Sequence, residues 1–399
     1  MKRPLLFAVS AVFGLAVLGC FFFAPGALRK GREVRPDMER NMAGLMYEEA
    51  PAIGFTDYIN QADYALAQTM RRLGVSSAGL SLLSVELREH GGRLYQERHI
   101  ALAGVGDAAF FARALRDALI AWAERAALLR REDLPAGMRD AAPPSAAGEG
   151  EWFIVLDGVI THRLSLSSAP PADRHGASRP RLVIVMDDLG ESRQAAARLR
   201  ALDFKVTFAV WPRGTHAGEV AELAHEQGLE VLVHQPMEPL DYPAVNPGRG
   251  AMLAGMGRED ILRTLDESLR LVPHASGLNN HMGSLLTQDE GAMRVVAQEA
   301  RQRGLFILDS LTHQGSRLAG AALQEGARAL KRDIFLDEEA RRDKVLEQLR
   351  RAERISVVRG QAIAIGHPLP ATLDALEDWQ RLRDQEIEIV RLADLDFLN

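Results

Sequence analysis

Six side chains at the ends of apolar runs hold the chemistry available to this chain. Leu182–Met186 runs into Asp187-Asp188, and Val231-Leu232-Val233 ends at His234. Ser276-Gly277-Leu278 leads into Asn279-Asn280-His281, Leu305–Leu308 ends at Asp309, and Ala362–Gly366 ends at His367. Buried parallel strands read as continuous apolar runs, and their C-terminal ends share one face of an α/β barrel. On that geometry three carboxylates and three imidazoles meet at one rim. Such a set can hold a divalent metal and leave an acid and a base over.

Each residue also has a plainer reading. Adjacent Asp187 and Asp188 would face opposite ways along an extended strand. At a strand end one can bind a metal and the other act as a base, and a cation relieves their repulsion. A helix N-cap with an acidic first turn accounts for one aspartate but less well for the pair. His234 leaves a buried strand and enters Gln235-Pro236-Met237-Glu238-Pro239, where two prolines keep the segment extended and Glu238 offers a carboxylate. Asn279 and Asn280 can cap loops or bind a polar substrate, and Asp309 can cap a helix. His367 lies between Gly366 and Pro368, on a tight strand-to-helix turn. The joint placement, more than any single residue, points to a site.

The elements that must position these groups follow from the same pattern. Strands at 181–186, 205–211, 230–235, 276–280, 305–310, 329–335, 361–366 and 387–392 alternate with helices. Repeated βα units of this length imply a parallel sheet, here favouring a closed or nearly closed barrel over 181–399, with an open doubly wound sheet as the alternative. Met186-Asp187-Asp188-Leu189-Gly190 is acidic where a nucleotide site needs a glycine-rich turn. Before the barrel, 51–166 reads as a small α+β domain. A helix at 57–73 precedes a hairpin turning at His90-Gly91-Gly92-Arg93; a helix at 107–130 precedes a second hairpin around Asp157-Gly158. No catalytic constellation stands out there, and His90, His99 and His162 read as surface or packing residues. Residues 167–180 have linker composition and 31–50 read as a spacer.

A net charge of −6 without a basic block excludes a protein that tracks nucleic-acid phosphates. One cysteine, Cys20, excludes an intrachain disulfide and a cysteine-based zinc site. Lys2 and Arg3 precede an apolar run from Pro4 to Pro25 that is long enough to span a bilayer. Residues 1–30 therefore read as an uncleaved signal anchor, with a cleaved signal peptide and a loose lipobox at Cys20 as alternatives.

The segments VIVMDDLG, LVHQPMEP, LNNHMGS, FILDSLT, RDIFLD and AIAIGHP occur in order over 181–395. In them the chain resembles the divergent polysaccharide deacetylase family, a branch of the NodB-like carbohydrate esterase 4 deacetylases. The resemblance implies a distorted (β/α) barrel, a divalent metal that is usually zinc, and hydrolysis of an N-acetyl group on an amino-sugar glycan. It also implies an envelope location, here with the folded domains periplasmic and the N-terminal segment in the inner membrane. By the same resemblance Asp187 is the base, Asp188 and His234 are metal ligands, Asp309 orients its neighbours, and His367 is the general acid. The parent family's second metal histidine is Glu238 here, and its arginine-containing third motif is Asn279-Asn280-His281. The third ligand is then His281 by preference and Glu238 second. Arg332 and Asp333 match a charged pair of the branch and take a supporting role. These departures leave a second expectation open, an inactive module that binds envelope glycan or a cell-wall partner.

Overall fold

The computed structural model describes residues 54–141, 150–169 and 179–398. The apolar segment at 1–30, the spacer at 31–50 and most of the 167–180 linker lie outside these residues. Among the described residues no helix is long and apolar enough to cross a membrane.

The first layer is a five-stranded sheet of β1 (Leu80–His90), β2 (Arg93–Ala103), β3 (Ala126–Arg130), β4 (Glu151–Leu156) and β5 (Val159–Ser167), in the order β1-β2-β5-β4-β3. Gly91 and Gly92 have φ of 58° and 74°, and Asp157 and Gly158 have 49° and 80°. Positive φ at both central residues matches the twist of a two-residue hairpin. Helices Phe55–Arg72 and Ala108–Trp122 lay Leu66, Phe111 and Leu115 against Ile100, Leu102 and Leu164 of the sheet. The helix expected over 107–130 thus stops at Trp122. Residues 126–130 form β3 instead, antiparallel to β4, which buries Leu128. Edge pairing overrides the helix preference of this alanine- and leucine-rich segment.

The second layer is a curled, parallel half-barrel of β6 (Arg181–Leu189), β7 (Thr207–Val210), β8 (Val231–Met237), β9 (Gly277–Met282), β10 (Phe306–Asp309), β11 (Ala329–Lys331), β12 (Ile334–Phe335), β13 (Gln361–Gly366) and β14 (Glu388–Ile389). The order is β11-β10-β9-β8-β7-β6-β13-β12, with β14 beside the start of β6. Val183, Val185, Leu232, Leu308, Ile363 and Ile365 fill the concave side.

The strand expected at 329–335 is broken. Its first half pairs with β10, its second half with β13, and the halves share no ladder. Arg332 N–H donates to Asp309 O at 3.1 Å, while Asp333 N–H donates to Ile363 O at 2.9 Å. Consecutive residues therefore bond to opposite edges, and a two-residue joint crosses the seam where a closed barrel would have a ladder. The small sheet stands over this seam, and both layers belong to one compact unit. Asp63 of the first helix pairs with Arg359, Arg98 and His162; Arg359 also reaches Asp333 and Asn60. All of Asp63 is buried, and its carboxyl is held far below the usual range: burial opposes ionisation, and Arg359, Arg98 and His162 outweigh it.

Candidate metal centre

The C-terminal ends of β6 and β9 and the middle of β8, which runs on past the expected strand end, bring Asp188, His234 and His281 together. Asp188 has φ of 54°, a left-handed bend that releases the end of β6 from strict alternation. Asp188 Oδ1 lies 3.0 Å from His234 Nε2 and 2.8 Å from His281 Nδ1, and the two ring nitrogens are 3.2 Å apart. All three residues are buried, and among the described residues they form the one group of donors close enough to share an ion.

Hydrogen bonds around the group fix what its atoms can do. Asn279 Nδ2 donates to Asp187 Oδ1 at 2.8 Å and to Ser310 Oγ at 3.0 Å, so Asn279 Oδ1 is an acceptor for His234 Nδ1–H at 2.9 Å. In the neutral ring His234 Nε2 is then a bare lone pair aimed at the Asp188 carboxylate. Neither oxygen of Asp188 has a well-formed hydrogen bond, although both are buried. Lone pairs converging on one another in a dry site repel unless a cation or a proton lies between them. One carboxylate and two imidazoles are a donor set for zinc-like ions, and Asn279 is the kind of outer partner that sets a ligand's tautomer. The residues therefore fit a divalent metal.

The charges follow the same arrangement. Burial raises the Asp187 carboxyl, and His234 and His367 offset this only in part. Burial also opposes ionisation of Asp188, but His281 and His234 overcome it and hold the group well below the usual carboxylate range. For His234, burial favours the neutral ring, and Asp187 and Asp188 outweigh it to raise its pKa.

His367, after β13, faces the group from the other side, with Nε2 4.0 Å from Asp188 Oδ2. Its Nδ1 lies 3.0 Å from Asp337 Oδ1, and Asp337 Oδ2 accepts from His367 N–H at 2.6 Å and Thr372 Oγ1–H at 2.7 Å. Burial disfavours the charged ring, but Asp337 outweighs it and pushes His367 up to about 10. The Phe335 ring stacks 6.4 Å from the His367 ring, and the Arg332 guanidinium lies 3.7 Å from the Phe335 centroid. Arg332 also donates to Ser310 O and Leu311 O. Asp337 belongs to the RDIFLD segment but carried no expected role. Its histidine partner lies 30 residues away, which the run Ile334-Phe335-Leu336 before it does not reveal.

Other expected residues lie elsewhere. Glu238 Oε2 accepts from Ala254 N–H at 2.5 Å, pinning the loop after β8, and is outside the three-donor group. Asp309 accepts from Leu311 N–H at 2.9 Å and Ser316 Oγ–H at 2.8 Å, shaping the turn after β10. Asn280 accepts from Ser310 N–H and donates to Met282 O and Thr312 Oγ1, which ties two rim loops together. Asp333 turns away from the rim to Arg359 and Ile363 N–H. Asn279 and Asn280 are both buried and spend their amides inside the protein.

A family model described as divergent polysaccharide deacetylase matches residues 184–395. The chain belongs to the divergent polysaccharide deacetylase family. The matched span contains every rim residue described above. Among curated relatives, the uncharacterized protein YibQ of Escherichia coli is 34% identical over 215 residues, covering 54% of this chain and 67% of that protein. An uncharacterized protein of Haemophilus influenzae is 32% identical over 218 residues, covering 55% and 77%. The crystal structure of uncharacterized protein ATU2773 from Agrobacterium tumefaciens matches with 29% identity and a TM-score of 0.51, over 54% of this chain and 89% of that one. These matches cover about half of this family member.

Proposed function

We propose that the protein is a metal-dependent hydrolase that removes N-acetyl groups from an amino-sugar polymer of the bacterial envelope. The observation that supports this best is the buried Asp188–His234–His281 group flanked by Asp187 and by the Asp337–His367 pair. Asp188, His234 and His281 would hold a divalent ion, zinc by their donor chemistry. Bound there, the ion supplies Lewis acidity and makes water nucleophilic at neutral pH. Asp187, its carboxyl raised by burial, accepts the proton of the attacking water. Asn279 holds Asp187 and His234 in register through one amide. Protonated His367 gives its Nε2 proton to the departing sugar nitrogen, so that a neutral amine leaves instead of an anion. The carbon–nitrogen bond breaks, a carbon–oxygen bond forms, and the products are acetate and a free amino sugar. The same reading places the folded part outside the cytoplasm, held at the inner membrane by residues 1–30.

The test is metal content of the full chain purified without chelator, together with acetate release from N-acetylated glucosamine polymers. About one ion per chain with acetate release is expected. Asp187→Asn should keep the ion and lose roughly 10²–10⁴-fold in rate. An ion without acetate release from any amino-sugar polymer would sink the hydrolase reading in favour of a glycan-binding module.

The acid also sets a pH limb. His367 must be protonated to act, so activity is present below its pKa of about 10 and falls above it. In Asp337→Asn the main source of that elevation is gone, and the alkaline limb should move down toward the unperturbed ~6.5. A rate profile with an unmoved alkaline limb would remove His367 from the acid role.

A further inference from the structure

Between the β1–β2 hairpin and the barrel seam lies a cavity of 220 Å³. Its apolar walls are Leu82, Val85 and Leu87 of the small sheet and Ile363 and Phe397 of the half-barrel, and none of the three candidate metal donors lines it. It opens along β1, which is the unpaired edge of its sheet and leaves Leu82 and Val85 about 40% exposed (39% and 42%). Such an edge is usually shielded by charge or proline; here Glu86, Arg88 and Glu89 do so over its second half, while Leu82, Leu83 and Val85 leave its first half apolar.

The cavity is not wholly apolar. Lys331 lines it, mostly buried, and its ammonium has one weak contact, to Leu94 O at 3.4 Å. Arg332 lines it too and donates to carbonyls only. Among the described residues neither cation has a carboxylate within salt-bridge distance, whereas the neighbouring Arg359 has two, Asp63 and Asp333. Burial lowers the pKa of Lys331, and the Asp309 carboxylate, beyond salt-bridge distance, offsets this only in part. Two carboxylates, Asp333 and Asp396, also line the cavity, but Arg359 and Arg181 engage them; a buried charge is ordinarily paired, and Lys331 is left with no anion of its own.

We infer that this cavity binds a single-chain amphiphile with a carboxylate head, the head on Lys331 and the tail along Leu87, Ile363 and Phe397. The volume is below the roughly 300–1,000 Å³ of drug-sized sites and so suits one short alkyl chain and not a sugar polymer. The apolar mouth on β1 gives the tail its way in.

The probe is decanoate below its micellar concentration, added to the full chain and followed by calorimetry and by the thermal midpoint. One decanoate per chain and a raised midpoint are expected. Decanol, which lacks the charge, should bind at least tenfold more weakly. Lys331→Met keeps the apolar length and should weaken decanoate by tenfold or more, and Val85→Arg, at the exposed mouth, should block it. Equal binding of decanol, or of decanoate to K331M, would overturn the assignment. So would no decanoate binding alongside Lys331-dependent capture of vesicles rich in anionic lipid, which would make the wall a membrane contact.

Discussion

His281→Ala is expected to purify without its metal ion and without activity, while Glu238→Ala keeps the ion. His281 Nδ1 sits 2.8 Å from Asp188 Oδ1 and 3.2 Å from His234 Nε2, within the three-donor group. Removing it leaves two protein donors, fewer than the three that catalytic zinc sites keep. Glu238 instead anchors Ala254 N–H, so its loss should loosen a loop and leave the ion in place. Asn279→Ala separates ligand from outer partner: the three donors remain, but nothing holds His234 Nδ1–H, and affinity should fall by roughly 10–100-fold. Elemental analysis of the three purified variants decides among these roles. An ion retained by H281A and lost from E238A would reverse the ligand assignment.

The second large effect is on stability. Asp63→Ala should cost about 3–5 kcal/mol, because it leaves Arg98 and Arg359 buried without their shared carboxylate. Denaturant titration measures this as a lowered midpoint. The pH dependence has a definite sign. The Asp63 carboxyl is depressed in the folded state, so its contribution is complete above the unfolded value near ~3.9. It drains away as pH falls from there toward the folded value. Wild-type stability should therefore drop through the acid range below pH ~4, and Asp63→Asn should be less stable at neutral pH and flatter in acid. Equal acid slopes for the two proteins would show that Asp63 is not the titrating group.

The rim was legible because strand ends announce themselves. Where four or more apolar residues stop at Asp or His, as at Met186-Asp187 and Gly366-His367, the apolar run ends and chemistry begins at the same residue. What could not be read there was which polar group serves which neighbour. Asn279 and Asn280 are adjacent and chemically identical, yet one orients His234 and Asp187 while the other ties rim loops. Asp309 and Glu238 turned inward to backbone amides, a use that depends on loop paths no periodicity encodes. Asp337 does follow an apolar run, Ile334-Phe335-Leu336, but its role depends on His367 and Thr372, 30 and 35 residues away. The helix at 107–130 was overrun for the opposite reason: good helix formers continue past Trp122, and pairing with β4, a contact 30 residues distant at Ala126↔Leu156, decides otherwise. The buried Asp63 cluster joins residues up to 299 positions apart and leaves no local trace.

The broken strand bears on how this chain can be cut and recombined. At the seam, Arg332 braces the turn beside the candidate metal centre and the next residue, Asp333, holds the first helix, through Asn60 directly and through Arg359 to Asp63. A fragment beginning at Arg181 would contain every candidate ligand, yet it would bare Arg359, Ile363 and Phe397 along an open flank. The two layers are therefore not interchangeable modules. Grafting the half-barrel onto another carrier would require a new cover for that flank, and a swapped-in small sheet would be felt one peptide bond away from the rim.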